Sequence, residues 1–242
     1  MEKKWKKMVF SISVSVLCGL PVGVLQAAAR PITITADVLA YDGETRVATA
    51  DGNVYIRQGE TGLTGQHAIY NIKTDVAEVS GNACIVQPDL QVRAAKIEAY
   101  QKNHIIAAGN VQAVKGDKRL QGARVDYYID RNYGIITGHA FLEAQGAKIW
   151  ANRIEAWLQE VRAVGTGKVR VESSKNQLSA TGNMATYTQT PGKNDGILNL
   201  TGNVHAVQKG NTVQGPAVQV RAADKSVRTF GRSTLVLIPK DA

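Results

Sequence analysis

Cysteine is almost missing from this chain: among 242 residues there are two, Cys18 and Cys84. Cys18 falls in a leader described below, so Cys84 has no intramolecular partner and disulfides cannot hold the fold together. Cys84 reads as a small buried hydrophobe. Aromatic side chains are scarce as well, with 3 Trp, 8 Tyr and 3 Phe, which excludes an interior built on large rings. The residues of catalysis are scattered. His67, His104, His139 and His205 stand alone, without a His-x-x-x-His pair or a cysteine partner, and read as surface or turn residues. No Gly-x-Ser-x-Gly occurs, and no Gly-Lys is followed by Ser or Thr in a phosphate-loop setting. Asp126 with Asp130, and Glu98 with Glu155, fall in turns or repeated columns where solvated charge suffices. The expectation is a protein that is not an enzyme, with no cofactor and no metal.

What is present begins with a basic start. Lys3, Lys4, Lys6 and Lys7 precede an apolar stretch from Met8 to Leu25, broken at Pro21 and followed by Ala27-Ala28-Ala29. This is the pattern of a secretory signal peptide over residues 1–29 with a small-x-small cleavage site. The alternative is an uncleaved membrane anchor, since a spanning helix needs roughly 17 to 25 residues. Val16-Leu17 ahead of Cys18 argues against a lipoprotein signal. Beyond residue 29 the chain carries 25 basic and 19 acidic side chains, a charge of +6. The Lys and Arg are spread over turns without a run, so no nucleic-acid partner is expected. A basic exported surface suits anionic lipid or polysaccharide.

A repeat dominates everything after the leader. Gly-Asn-Val or a close variant starts at Gly52, Gly81, Gly109, Gly138, Gly167, Gly202 and, weakly, Gly231, in steps of 29, 28, 29, 29, 35 and 29. The long step contains the turn-forming Thr190-Pro191-Gly192-Lys193-Asn194-Asp195-Gly196. At even offsets from each glycine, 24 of 28 positions are Ala, Val, Ile or Leu; at odd offsets only 8 of 28 are apolar or aromatic. Period two is the signature of a half-buried strand, here of about nine residues with its glycine on the buried face. A second strand sits half a period earlier, centred on Val38, Ala68, Ile97, Val125, Ile154, Met184 and Val218. An aromatic commonly follows three residues later: Tyr41, Tyr100, Tyr128, Trp157 or Tyr187. Turn signals such as Lys115-Gly116-Asp117 join the strands, and short turns can join only antiparallel neighbours.

The expected fold is therefore all-β: about seven repeats of roughly 29 residues, about fourteen strands, stacked antiparallel hairpins in a single domain over residues 30–242. One unit cannot bury its apolar face alone, so neighbours must stack around a shared aliphatic interior. The candidate interior residues are Ile34, Val54, Ile56, Val79, Ile85, Ile105 and Val111 in the first half. In the second they are Ile136, Leu142, Val169, Leu198, Leu200 and Val204. Residue types alone fit either a closed dry core or a cleft for aliphatic chains.

Ile32-Thr33-Ile34-Thr35-Ala36-Asp37 after a leader, then Gly-Asn-Val strands interleaved with strands such as Gly65-Gln66-His67-Ala68-Ile69-Tyr70, resemble the OstA-like family of lipopolysaccharide transport proteins, most closely its periplasmic LptA type. The resemblance covers about residues 31 to 238. It implies an elongated, twisted β-jelly-roll in the periplasm whose interior receives the acyl chains of lipid A. It also implies partners of the LptC and LptD types, and no catalytic residues. The membrane-anchored LptC type remains an alternative through the uncertain leader. An exported structural β-solenoid, scaffold or adhesin, with a dry core fits the periodicity equally well.

The two chain ends supply a last expectation. Ile32 and Ile34 lie in an uncharged segment guarded only by Pro31. Leu235 and Leu237 lie in Ser233–Ile238, uncharged until Lys240 and interrupted only by Pro239. Unblocked edge strands invite pairing. Such edges are expected to produce a head-to-tail homo-oligomer.

Overall fold

The computed structural model describes residues 32–238 apart from Lys102, Gln145, Lys175, Asn194 and Lys225. The leader, its cleavage site and the edge guards Pro31, Pro239 and Lys240 lie outside the described residues. All regular structure is β: β1 (Ile32–Thr35), β2 (Val38–Asp42), β3 (Val47–Gln58), β4 (Thr61–Asn71), β5 (Val76–Gln87), β6 (Leu90–Tyr100), β7 (His104–Lys115), β8 (Lys118–Tyr128), β9 (Tyr133–Ala144), β10 (Ala147–Trp157), β11 (Arg162–Ser173), β12 (Leu178–Thr188), β13 (Ile197–Gln208), β14 (Asn211–Arg221), β15 (Val227–Phe230) and β16 (Thr234–Val236). Sixteen strands replace the expected fourteen because the first and last are each interrupted. β1 and β2 both pair β3, and β15 and β16 both pair β14.

The chain forms two compact units. The first holds residues up to Val111 with Asp126–Asp130, the second Gln112–Val125 and the chain from Arg131 onward. In the first, β3, β4, β5 and β6 pair in chain order, each antiparallel to the next. In the second, β9 through β14 do the same. The turns join in too: Ile72 N–H donates to the Arg46 carbonyl at 3.0 Å and Gln101 N–H to the Asp75 carbonyl at 2.9 Å, so hydrogen bonding continues from one turn to the next. That accounts for the backbone polar groups of the turns, which would otherwise need solvent.

The repeat glycine corrects one expectation. It is not buried, because it opens a β-bulge. Asp51 pairs His67 and Val54 pairs Gly65, so β3 advances three residues while β4 advances two. The same irregularity falls at Ser80/Ala83, Thr166/Val169 and Thr201/Val204. Gly52 and Asn53 have φ of 74° and 48°, and each repeat glycine from Gly81 to Gly202 repeats this together with the residue after it. Two successive left-handed residues are costly for most side chains; glycine bears none of that cost and asparagine little, which is the physical content of the Gly-Asn motif. A bulge of two residues leaves even offsets on the inward face on both sides of it. The neighbouring strand changes phase instead: Gly65 and Ala68, three apart, are both buried, as are Ala94 and Ile97, and Gly182 and Ala185. The Gly-x-x-Ala spacing is that phase change written in sequence.

Candidate interior face and terminal edges

The inward side chains line up in columns across hydrogen-bonded strands, because directly paired residues share a face. In the first unit one column runs Leu39, Ala50, Ala68, Val79, Ile97 and a second Ile34, Ile56, Leu63, Ile85, Val92. In the second unit they run Ile136, Ile154, Gly165, Ala185, Leu200, Val218, Thr229 and Leu142, Ile149, Val171, Ala180, Ala206, Val213, Leu235. No charged side chain stands in any of the four. Beside the bulges the columns narrow to small residues, with Val54 opposite Gly65, Ala140 opposite Ala151 and Val169 opposite Gly182. A side chain on Gly65 would meet Val79 at 2.5 Å, so that glycine exists for close approach.

None of the thirteen residues selected from the sequence is exposed. Val54, Val79, Ile85, Val111, Ile136, Val169, Leu200 and Val204 are buried, whereas Ile34, Ile56, Ile105, Leu142 and Leu198 are half-buried. In the second unit Ile136, Ile154, Val169, Leu200, Val204 and Val218 belong to one contiguous cluster of buried residues. Two strand centres were one residue out. Val38 and Met184 point outward, and Leu39 and Ala185 take their inward places. A one-residue slip exchanges faces.

The same slip hid a division among the aromatics. Tyr41, Tyr70 and Tyr187 lie in a third inward column, two residues past the true inward centres, beside Ala48, Ala77 and Leu198. Tyr100, Tyr128 and Trp157, three residues past theirs, are on the outward face. The inward tyrosines keep polar tips at the turns: Tyr70 Oη donates to Asp75 Oδ1 at 2.9 Å and Tyr187 Oη to Gln189 Oε1 at 2.6 Å. Burial, reinforced by the Asp75 carboxylate, pushes the Tyr70 hydroxyl far above its usual range and keeps it neutral.

The outward face carries charge and rings in pairs, some along one strand and some across two. Lys96 Nζ donates to Glu98 at 2.8 Å and Glu78 at 3.3 Å. Arg153 and Tyr133 both donate to Glu155, holding its carboxyl below the usual range. Burial first, and then Glu155, push the Tyr133 hydroxyl up to about 12. Arg162 lies 4.0 Å over the Trp157 ring. Glu98 and Glu155, expected as solvated charge in repeated columns, are each held in an ion pair, in separate clusters. The histidines are all in strands, and three have polar partners: His67 with Asp51, His104 with Asp126 at 3.1 Å, and His205 with Gln214 at 3.1 Å. Cys84 is half-buried rather than buried, since its odd offset places it outward beside inward Ile85. Among the described residues no three His, Cys, Asp or Glu side chains gather to hold a metal ion.

Among the described residues, the inward columns run at each terminus onto a strand with one neighbour. Leu39 and Tyr41 on β2 are 56% and 60% exposed, and Leu235 on β16 and Leu237 just beyond it are 58% and 63% exposed. The sequence pattern singles out Ile32, Ile34, Leu235 and Leu237 at the two ends; Leu39 and Tyr41, which the period-two pattern also reaches, join them in the structure.

These features define a class: an all-β repeat protein of antiparallel hairpins with an aliphatic inward face in each unit and, among the described residues, open terminal edges. Two overlapping stretches, residues 33–156 and 91–225, match the family described as LptA/(LptD N-terminal domain) LPS transport protein, and the chain belongs to that family. It is a family of transport proteins. Among solved structures the chain is similar to LptH, the LptA-homologous periplasmic component of the lipopolysaccharide transport device from Pseudomonas aeruginosa, with 14% identity, 87% of this chain and 96% of that chain covered, and a TM-score of 0.17. No curated protein matches the chain.

Proposed function

We propose that the protein is a periplasmic carrier that shields the acyl chains of lipopolysaccharide against its inward columns on the way from the inner to the outer membrane. The observation that carries this reading is that the columns are aliphatic, uncharged and, among the described residues, uncapped at the terminal strands. A core with no ligand gains nothing from inward-facing leucine and tyrosine left more than half exposed. Each methylene group of an acyl chain removed from water contributes about 0.8 kcal/mol, so a smooth aliphatic face suffices to hold lipid without a hydrogen-bonding site. The terminal edges supply the contacts with membrane partners of the LptC and LptD types and with further copies.

The half-buried positions are the ones lipid can reach. Photo-crosslinkers at Ile34, Ile56, Leu142 and Leu198 should label added lipopolysaccharide, while Val111 and Leu200, 1% and 0% exposed, serve as buried controls. Absence of labelling at all four, with the β spectrum intact, would leave a dry scaffold as the correct description.

A further inference from the structure

The repeat fixes the register in which a second copy can dock. β1 with β2 is a strand of the same type as β4, because Leu39 pairs Ala50 and Ile34 pairs Ile56 just as Ala68 pairs Val79 and Leu63 pairs Ile85. β15 with β16 is a glycine strand, with Gly231 at φ 81° against Pro216 as Gly52 stands against Asp37. Strands of the two types alternate throughout each unit. A copy whose β1/β2 pairs the β15/β16 of another therefore continues the alternation. Carrying over the pairing of β3 with β4 and of β13 with β14 sets Thr229 opposite Leu39, Leu235 opposite Ile34 and Leu237 opposite Ile32 of the second copy. All but Thr229 are apolar and inward.

The same register brings a charge pair to the junction. Within the chain, the residue after Gly52, Gly81, Gly138, Gly167 and Gly202 lies across from Gln66, Ala95, Asn152, Asn183 and Pro216 of the next strand, and in none of these five places do opposite charges meet. At the junction Arg232 lies across from Asp37. Both are exposed, and Arg232 forms no ion pair among the described residues, while Asp37 accepts only from Asn53, at 2.9 Å. Arg228 stands opposite Ala40, diagonal to Asp42 on the same face, within reach for a long side chain. The wider charge agrees. From residue 31, the first unit has 11 acidic against 6 basic side chains and the second 8 acidic against 18 basic.

Resting on the reading of the edges as assembly surfaces, we propose that Arg232 and Asp37 form an intermolecular ion pair that selects this one register between copies of the chain. Like charges there exclude it, and opposite charges across the two units accelerate encounter in a salt-dependent way.

Sedimentation of the full chain tests this. Arg232→Glu and Asp37→Arg should each weaken self-association about fivefold at low salt, the upper range for an exposed pair turned repulsive. The double variant, and an equimolar mixture of the two single variants, should restore it, because each then presents opposite charges across every junction. In a Cys84→Ser background, Ile34→Cys mixed with Leu235→Cys should form an intermolecular disulfide, and Leu39→Cys mixed with Leu235→Cys should not. If the swaps change nothing while removal of the residues after Gly231 suppresses association, the ion pair and register are wrong and edge assembly stands. If removal also changes nothing, the reading of the edges itself fails.

Discussion

The two faces of the same strands are held by different physics. Inward, side chains are few in kind, mostly Ala, Val, Ile and Leu, and their positions are set by column and by bulge. Outward, the side chains are diverse and paired: Lys96 with two glutamates, Arg162 over Trp157, His104 stacked on Tyr128 with centroids 4.3 Å apart. The difference teaches where the fold is specified. Where the inward face is buried its contacts exclude water and permit no vacancy, whereas outward pairs sit in high dielectric and are screened.

The largest effect should come from the bulge that keeps the inward face in phase. Gly138 has φ of 74°, and a Cβ there would lie 2.5 Å from that of Ala123. Gly138→Val should cost about 3 to 5 kcal/mol from backbone strain and overpacking together. Gly146, with φ of 76° and open space around it, isolates the strain: Gly146→Ala should cost about 1 kcal/mol. Urea unfolding of the two variants, read side by side, checks both; equal losses would mean that the close approach is irrelevant.

Next in size is a vacancy on the inward face. Leu200 is wholly buried in the second unit, and Leu200→Ala should lower stability by about 2 to 5 kcal/mol. An outward partner of similar bulk gives the contrast: Arg170→Ala, which removes a partner of Glu172, should change the unfolding midpoint by less than about 0.5 kcal/mol. Comparable losses at the two positions would erase the distinction between the faces.

The smallest expected effect is a pH dependence on the outward face. The Tyr133 hydroxyl is raised from 10.0 to about 12 in the fold, so its contribution is fully present below pH 10 and is lost as pH rises toward 12. Glu155 is lowered from 4.5, so its contribution is present above that value and is lost as pH falls through the folded one. Tyr133→Phe should flatten the alkaline limb of the thermal melting profile and leave lipid labelling at Ile56 and Leu142 unchanged. A wild-type profile that is already flat between pH 10 and 12 would show that the pair contributes nothing.

Much of this architecture was legible because it repeats. Seven glycines in register, and alternation counted from each, pick out thirteen positions of which none is exposed, since period two is imposed by the backbone. What escaped was local phase. The bulge is invisible in the glycine strand, where even offsets stay inward, and shows only as the three-residue spacing of Gly65 and Ala68 in the neighbour. Counting through it misplaced Val38 and Met184 and merged inward Tyr41 and Tyr187 with outward Tyr100 and Trp157. Cys84 was misjudged for another reason: its residue type predicts burial, but its offset predicts an outward place, and the offset prevailed.

The alternation of strand types has a consequence for how such a chain can change length. Among the described residues the first strand is of one type and the last of the other, so this stretch behaves as a tile with unlike sides. Removing the 29 residues from Gly138 to Thr166, or duplicating them, would return the same two sides and a shorter or longer tile that still fits its neighbours. Removing a single strand would leave two like sides, and propagation would stop there. Size in this protein is therefore free to vary in whole periods and in nothing smaller.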